Sequence, residues 1–234
     1  TINLGMVEIN NKRNSLIHLI SRTIQISLIG SGETLNKRFI NKINQLSALD
    51  IFSIITFNWD ILLDNAIIRN PSGGAYQMDY GIDFFVIEEN NQTVLCDRKW
   101  KPPLYKLHGS LNWINCSRKH KFFKFKEKIG IDYQGKIDSD FVCPFENSTK
   151  DHKLTPMLVP PTFSKMNDDS MKDIKDVWFW ASKELIKADK LIIIGYSLPE
   201  TDIPFKLYFK SALINNILEL PTKILEIEIV NYIP

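Results

Sequence analysis

The chain has few of the features that mark secreted, membrane-spanning or nucleic-acid-binding proteins. Only three of its 234 residues are cysteine and none forms a Cys-x-x-Cys pair, which argues against a disulfide scaffold and fits the reducing cytoplasm. Apolar runs are only a few residues long and no signal peptide is visible, so neither a membrane span nor export is expected. A net charge of +2 gives no general attraction to nucleic acid or to anionic membranes.

The composition that is present is ordinary for a globular fold. Hydrophobic residues make up 44% and charged residues 24% of the chain, and its length fits one domain over 1–234. The chain begins at Thr1 rather than at a methionine, and it stops at Pro234 just after a strand-like run. We therefore expect a fragment of a longer polypeptide that carries additional domains.

The spacing of apolar residues predicts an α/β fold. In the last third, strand-like and helix-like segments alternate, which is typical of a parallel sheet built from βαβ units. Residues 114–155 show no regular period and are predicted to form an irregular insertion. The predicted helices cover 12–28, 34–47, 59–69, 169–188 and 202–218, and the predicted strands cover 51–56, 84–87, 92–96, 104–108, 157–161, 191–195 and 224–230.

Polar side chains follow the first predicted strand at the point where it ends. The sequence TFNWD at 56–60 places Thr56, Asn58 and Asp60 at alternate positions between a strand and a helix. In open α/β sheets, ligands bind beyond the carboxyl ends of the strands, which favours a binding site here. Helix capping is the alternative, because Asn and Asp are preferred at helix N-termini for backbone reasons alone.

A second run of the same kind follows the strand predicted over 104–108. Here His108, Gly109 and Ser110 end the strand. Histidine suits general-base catalysis near neutral pH, and glycine allows a ligand to approach the backbone closely. A purely structural histidine is the alternative interpretation.

A third strand ending carries Gly195 and Ser197, which offer backbone N–H groups and a hydroxyl to a phosphate or a ribose. A plain βα turn is the alternative, because an isolated glycine is not a dinucleotide fingerprint. The earlier run Gly30-Ser31-Gly32 lacks the spacing of a phosphate loop and is better explained as the turn before helix 34–47.

Two further groups of residues have alternative readings. The alternation of Lys and Phe over 118–126 fits a single-strand nucleic-acid platform, but an exposed hairpin strand is favoured because the net charge is small.

A Cys₂His₂ zinc site is a second candidate, yet no zinc is expected, because the spacings do not match the close ligand pairs of structural zinc. Its ligands would be Cys116, His120, Cys143 and His152.

Taken together and in this order, four motifs resemble the sirtuin-like superfamily. They are TFNWD at 56–60, KLHGSLNW at 106–113, VPPT at 159–162 and LIIIGYSLPETD at 191–202. The match is closest to the bacterial sirtuin-like domains of anti-phage defence proteins and spans about 50–231. The resemblance implies a Rossmann-like parallel sheet with helices on both faces, which binds NAD and cleaves its nicotinamide–ribose bond.

The resemblance also implies roles for individual residues. Asn58 would hold the ribose or a water at the reacting carbon, and His108 would act as the catalytic base. Asp60 would shape the nicotinamide site. The full set of implied NAD-binding residues is Thr56, Asp60, Gly109, Ser110, Gly195, Ser197 and Asn231.

The leading expectation is therefore a cytoplasmic NAD hydrolase that serves as the effector domain of a bacterial antiviral defence protein. A phage-derived activator and a homo-oligomer are expected from the resemblance alone, and nucleic acid is not expected as a partner. The family's Gly-Ala-Gly loop is missing, which truncation before Thr1 would explain. Two alternatives stay open: an NAD-dependent protein deacylase, disfavoured by the absence of four cysteines after the His motif, and a non-catalytic module that senses NAD or ADP-ribose.

Overall fold

The computed structural model divides into two compact units, Thr1–Pro160 and Pro161–Pro234, and each is described by itself. Both units combine helices and strands, so the α/β class is confirmed. The residues that the structure describes are 19, 23, 33–46, 52–69, 77–88, 92–99, 102–116, 121–125, 154–159, 169–196, 200, 202–219 and 225–231.

Two helices of the first unit pack against each other. Helix α1 (Glu33–Leu46) confirms the amphipathic helix predicted over 34–47, with Ile40 fully buried and Leu35 largely exposed. Helix α2 (Leu62–Ile68) packs against α1 and begins directly after the first polar run. Of the helix predicted over 12–28, only Leu19 and Thr23 are described, and both are helical.

The strands of the first unit form two sheets. Strands β1 (Ile54–Thr56) and β4 (Leu104–Lys106) pair in parallel as a two-stranded sheet. A mixed five-stranded sheet has the order β3-β2-β6-β5-β7, in which only β2 and β6 run in parallel. Its strands are β2 (Phe84–Ile87), β3 (Thr93–Leu95), β5 (Gly109–Cys116), β6 (Lys121–Phe125) and β7 (Leu154–Leu158).

The prediction of an irregular insertion over 114–155 is wrong wherever the structure describes that range. Its described residues belong to β5, β6 and β7, in the middle and at one edge of the mixed sheet. All eight residues of β5 are buried, polar Asn112 and Asn115 included, so no alternation of polar and apolar residues marks the strand in the sequence.

The interpretation of the Lys-Phe run as an exposed hairpin strand is confirmed only in part. Strand β6 does pair antiparallel with β5, as a hairpin strand would. However, its burial increases along the strand, and Lys124 is fully buried between Phe123 and Phe125. The two phenylalanines join Ile87, Ile114 and Cys116 in a hydrophobic cluster.

The second unit contains a βαβ element, as the alternating pattern predicts. Strands β8 (Lys190–Ile194) and β9 (Glu226–Val230) pair in parallel, and helix α4 (Ile203–Glu219) connects them. Helix α3 (Asp169–Lys187) precedes β8 and packs against α4. Asn216 of α4 donates to the carbonyls of Ile186 and Ala188, which satisfies acceptors left open at the end of α3.

Among the described residues, no helix combines the length and the apolar character needed to cross a membrane.

Candidate functional site

The first two polar runs lie side by side, because the strands that precede them are parallel neighbours. Thr56 pairs with Lys106 at the carboxyl ends of β1 and β4, and the N–H of Leu107 donates to the carbonyl of Thr56 at 2.9 Å. The chain therefore leaves both strands at one edge of this sheet. That edge is where open α/β proteins bind their ligands.

Within the first run, two side chains stabilise the turn and one is left exposed. The Thr56 hydroxyl accepts a hydrogen bond from the N–H of Asn58 at 3.2 Å, and the Asp60 carboxylate accepts one from Leu62 at 2.9 Å. Asp60 thus satisfies the first backbone donor of α2 from the position before the N-cap residue Ile61, which itself makes no side-chain capping bond. Asn58 is exposed at the tip of the turn.

His108 lies in the turn between β4 and β5, because β4 ends at Lys106 rather than continuing to 108 as predicted. His108 is 8% exposed, and its imidazole meets the ring of Phe57 edge-on, with 5.3 Å between the ring centroids. The backbone N–H of Val159 donates to the His108 carbonyl at 3.0 Å. The turns that carry Asn58 and His108 are therefore in direct contact.

Gly109 allows β5 to begin immediately after His108. Its φ of +78° lies in the left-handed region, and a Cβ atom built there would sit 1.8 Å from the carbonyl oxygen of Met157. No side chain fits at this position, because the obstruction is the backbone of β7. The glycine fixes where the His108 turn lies against that strand.

A buried lysine lies beneath both turns. The Lys106 ammonium donates to the Asp60 carbonyl at 2.5 Å, to the Ser110 hydroxyl at 2.7 Å and to the Asp64 carboxylate at 2.8 Å. Lys106 is 1% exposed, and Asp64 and Ser110 are fully buried. Burial alone would raise the pKa of Asp64, but the charges of Lys106 and Lys124, together with the hydrogen bonds from Lys106 and Tyr80, hold that pKa below its ordinary value.

The buried network continues from Asp64 to a second lysine. The Tyr80 hydroxyl donates to Asp64 at 2.5 Å and accepts from the Lys124 ammonium at 2.9 Å. Burial, and then the charge of Asp64, raise the pKa of Tyr80 well above its usual value. Burial lowers the pKa of Lys124 to about 8, although Asp64 opposes that shift.

Neither the role of Lys106 nor this buried network was predicted from the sequence, although the sequence contains a feature that indicates them. Lys106 stands in the apolar run before His108, and Asp64 interrupts an apolar helical run. A charged residue inside an apolar segment is rarely buried unless it is paired, so the two together indicate a buried ion pair.

The remaining residues of the predicted site belong to the second unit. Gly195 follows β8 with a φ of +62°, and its N–H donates to the Val230 carbonyl at 2.9 Å. Asn231 follows β9 and is exposed. Ser197 lies outside the described residues. The assignment of these three residues to NAD binding stays a prediction.

The structure describes only one of the four candidate zinc ligands. Cys116 is buried in the hydrophobic cluster of the mixed sheet, whereas His120, Cys143 and His152 lie outside the described residues. Within the part of the chain that is described, no three His, Cys, Asp or Glu side chains group together as metal ligands would.

No protein-family model, no curated protein and no solved structure matches this chain.

Proposed function

We propose that this protein hydrolyses NAD at the bond between nicotinamide and ribose. The observation that carries the proposal is the contact between the two turns: an exposed amide at Asn58 and an imidazole at His108 follow neighbouring parallel strands. An acceptor amide and a base that follow neighbouring parallel strands at the carboxyl edge of a sheet suit hydrolysis of a nucleotide substrate.

Each of the two residues has a definite task in this reaction. A water oxygen bonds to the anomeric carbon of the ribose while the bond to nicotinamide breaks, and nicotinamide leaves with the bonding electrons. The water's proton passes to His108, and the product is ADP-ribose. The amide oxygen of Asn58 stabilises the positive charge that develops at the ribose carbon.

The resemblance to sirtuin-like domains supports the same reaction and extends the proposal. It adds a Rossmann-like arrangement, with Gly195, Ser197 and Asn231 on the phosphates and riboses of NAD. It also adds the role of effector domain in a bacterial defence protein, with further domains, a phage-derived activator and self-assembly. NAD is the substrate in this proposal, and no zinc is required.

His108→Ala and Asn58→Ala are each expected to slow nicotinamide release from NAD, His108→Ala by about 10²-fold or more, because a positioned base contributes that much. The measurement is nicotinamide release by the full-length polypeptide, with and without its activator. Lys42→Ala, on the exposed face of α1, serves as the surface control and should keep wild-type activity. Urea unfolding of each variant separates lost chemistry from lost folding.

Three outcomes would contradict the proposal. Equal rates in wild type and in both site variants would exclude Asn58 and His108 as the residues that act. NAD consumption that requires an acylated peptide would identify a deacylase instead. Calorimetric binding of NAD or ADP-ribose by a full-length protein that shows no turnover would identify a sensing module.

A further inference from the structure

We propose that Lys106 is a positioning residue that holds the Asn58 turn and the His108 turn in their productive arrangement. The inference rests on the proposed function, because the two turns carry its two reacting groups. Lys106 is not a candidate ligand for substrate. An ammonium has three donors, and in this structure all three are used inside the protein.

The three acceptors of Lys106 belong to three different parts of the site. The Asp60 carbonyl closes the first turn, Asp64 belongs to helix α2, and Ser110 follows the His108-Gly109 turn. One buried ammonium therefore connects helix α2 to both the Asn58 turn and the His108 turn. Two further hydrogen bonds between the turns meet at the Trp59 carbonyl, which accepts from the N–H of Leu111 at 3.0 Å and from the Ser110 hydroxyl at 3.5 Å.

Stability alone is a weak reason for such an arrangement. A buried ion pair is often no more stabilising than apolar side chains of similar volume, because both charges lose their hydration. Apolar side chains do not make directional contacts. The Lys106 ammonium, in contrast, holds three oxygen atoms at hydrogen-bonding distance from its nitrogen. We therefore attribute to Lys106 the relative placement of the two turns, a property on which reaction rates depend steeply.

The second buried lysine provides a matched control in the same network. Lys124 is as buried as Lys106 and also reaches Asp64, but only through the Tyr80 hydroxyl. None of its described hydrogen bonds goes to either turn. A variant that loses Lys124 loses a buried charge beside Asp64 and leaves the three bonds of Lys106 in place.

The test compares Lys106→Met/Asp64→Asn with Lys124→Met in the full-length polypeptide. The double substitution removes both partners of the Lys106–Asp64 ion pair, and asparagine still accepts from Tyr80. It also removes the carboxylate that opposes the burial shift of Lys124, so the pKa of Lys124 falls further and this lysine becomes neutral more readily. We expect the double variant to lose about 10²-fold in kcat for nicotinamide release with little change in KM, because misplaced turns affect the reacting geometry most. Lys124→Met should keep kcat near the wild-type value.

A second measurement does not depend on activity. Hydrogen exchange of the Leu111 amide reports the bond to Trp59 that joins the two turns, and we expect it to speed up about tenfold in the double variant but not in Lys124→Met. Urea unfolding of the same samples shows whether global stability has changed.

The two measurements separate failure of this inference from failure of the proposed function. If the wild type releases no nicotinamide, the proposed function fails, and exchange at Leu111 alone decides whether Lys106 holds the turns. Wild-type protection of the Leu111 amide in the double variant would overturn the inference whatever the activity. Faster exchange at Leu111 together with wild-type kcat would also overturn it, because the placement of the turns would then not matter for the reaction.

Discussion

Gly109→Ala is expected to lower the free energy of unfolding of the first unit by about 2–5 kcal/mol. Two costs add at this position: a left-handed φ, which costs an L-residue about 1–2 kcal/mol, and a steric overlap that shifts the backbone, which costs about 1–3 kcal/mol or more. The added Cβ would lie 1.8 Å from the Met157 carbonyl oxygen, and 2.8 Å from its carbon. Because both atoms are backbone, no side-chain rotation relieves the overlap.

Gly195→Ala is the matched control, because it has the same kind of backbone conformation without the obstruction. Its φ is +62°, and among the described residues other than its two chain neighbours no heavy atom lies within 4 Å of the position that a Cβ would take. We expect it to cost only about 1–2 kcal/mol, the price of the conformation alone. Urea unfolding monitored by tryptophan fluorescence and circular dichroism measures both losses. Similar losses for the two variants would show that β7 does not confine Gly109 as described.

The need for glycine at 109 follows from the pairing of β5 with β7. Gly109 pairs with Leu158, but Ile114 already pairs with Pro156, so the register shifts between them. The six residues from 109 to 114 thus oppose only the three residues 156–158 of β7, and β5 must bend away and return. Such bulges often lie beside functional turns, and this one directly follows His108.

The sequence predicts best those elements that have one exposed face or a clear boundary. Helices α1, α3 and α4 and strands β8 and β9 lie within one or two residues of the predicted ranges. In α1 the apolar residues recur every three or four positions, because only one face is buried. Because this period follows from which face of the helix is buried, it can be recognised in the sequence alone.

Strands β2 and β3 of the mixed sheet were predicted at 84–87 and 92–96, but strand β5 shows why the middle of that sheet was not predictable. A strand buried on both faces loses the alternation that normally identifies it, and Asn112 and Asn115 add polar residues that suggest a loop. Asn112 is tolerated there because its amide donates to the Phe125 carbonyl of β6 at 3.1 Å. That partner is 13 residues away, and only the folded pairing brings it near.

The candidate site was predictable as a set of strand endings but not as a hydrogen-bonded structure. Period and composition locate the ends of β1 and β4, yet they do not say that these strands are neighbours. The pairing of Thr56 with Lys106 decides that point. It also decides that Ser110 and Asp60 share one ammonium, a contact that links positions 50 residues apart.

Lys124→Met is expected to stabilise the protein at pH 7 and to flatten its pH dependence above pH 8. Burial lowers the pKa of Lys124 to about 8 from an unfolded value of 10.5. Below pH 8 both states hold the proton, and the folded state carries the full cost of a buried charge, about 3 kcal/mol. Between pH 8 and 10.5 the unfolded chain binds more protons than the folded chain, so wild-type stability gains from this group as pH rises.

Methionine at 124 fills a similar volume without a charge, so that gain should disappear. The difference in unfolding free energy between Lys124→Met and wild type should fall by about 2–3 kcal/mol from pH 7 to pH 10, measured by urea unfolding. Lys121→Met, at the exposed end of the same strand, should keep the wild-type dependence on pH. The lost bond to Tyr80 makes Lys124→Met less stabilising at every pH. It does not alter how this stabilisation varies with pH, because Asp64 keeps Lys106 as its partner. A difference that is constant from pH 7 to pH 10 would mean that Lys124 is charged in the folded protein across this range. Lys106 and Lys124 would then both be charged beside the single carboxylate of Asp64.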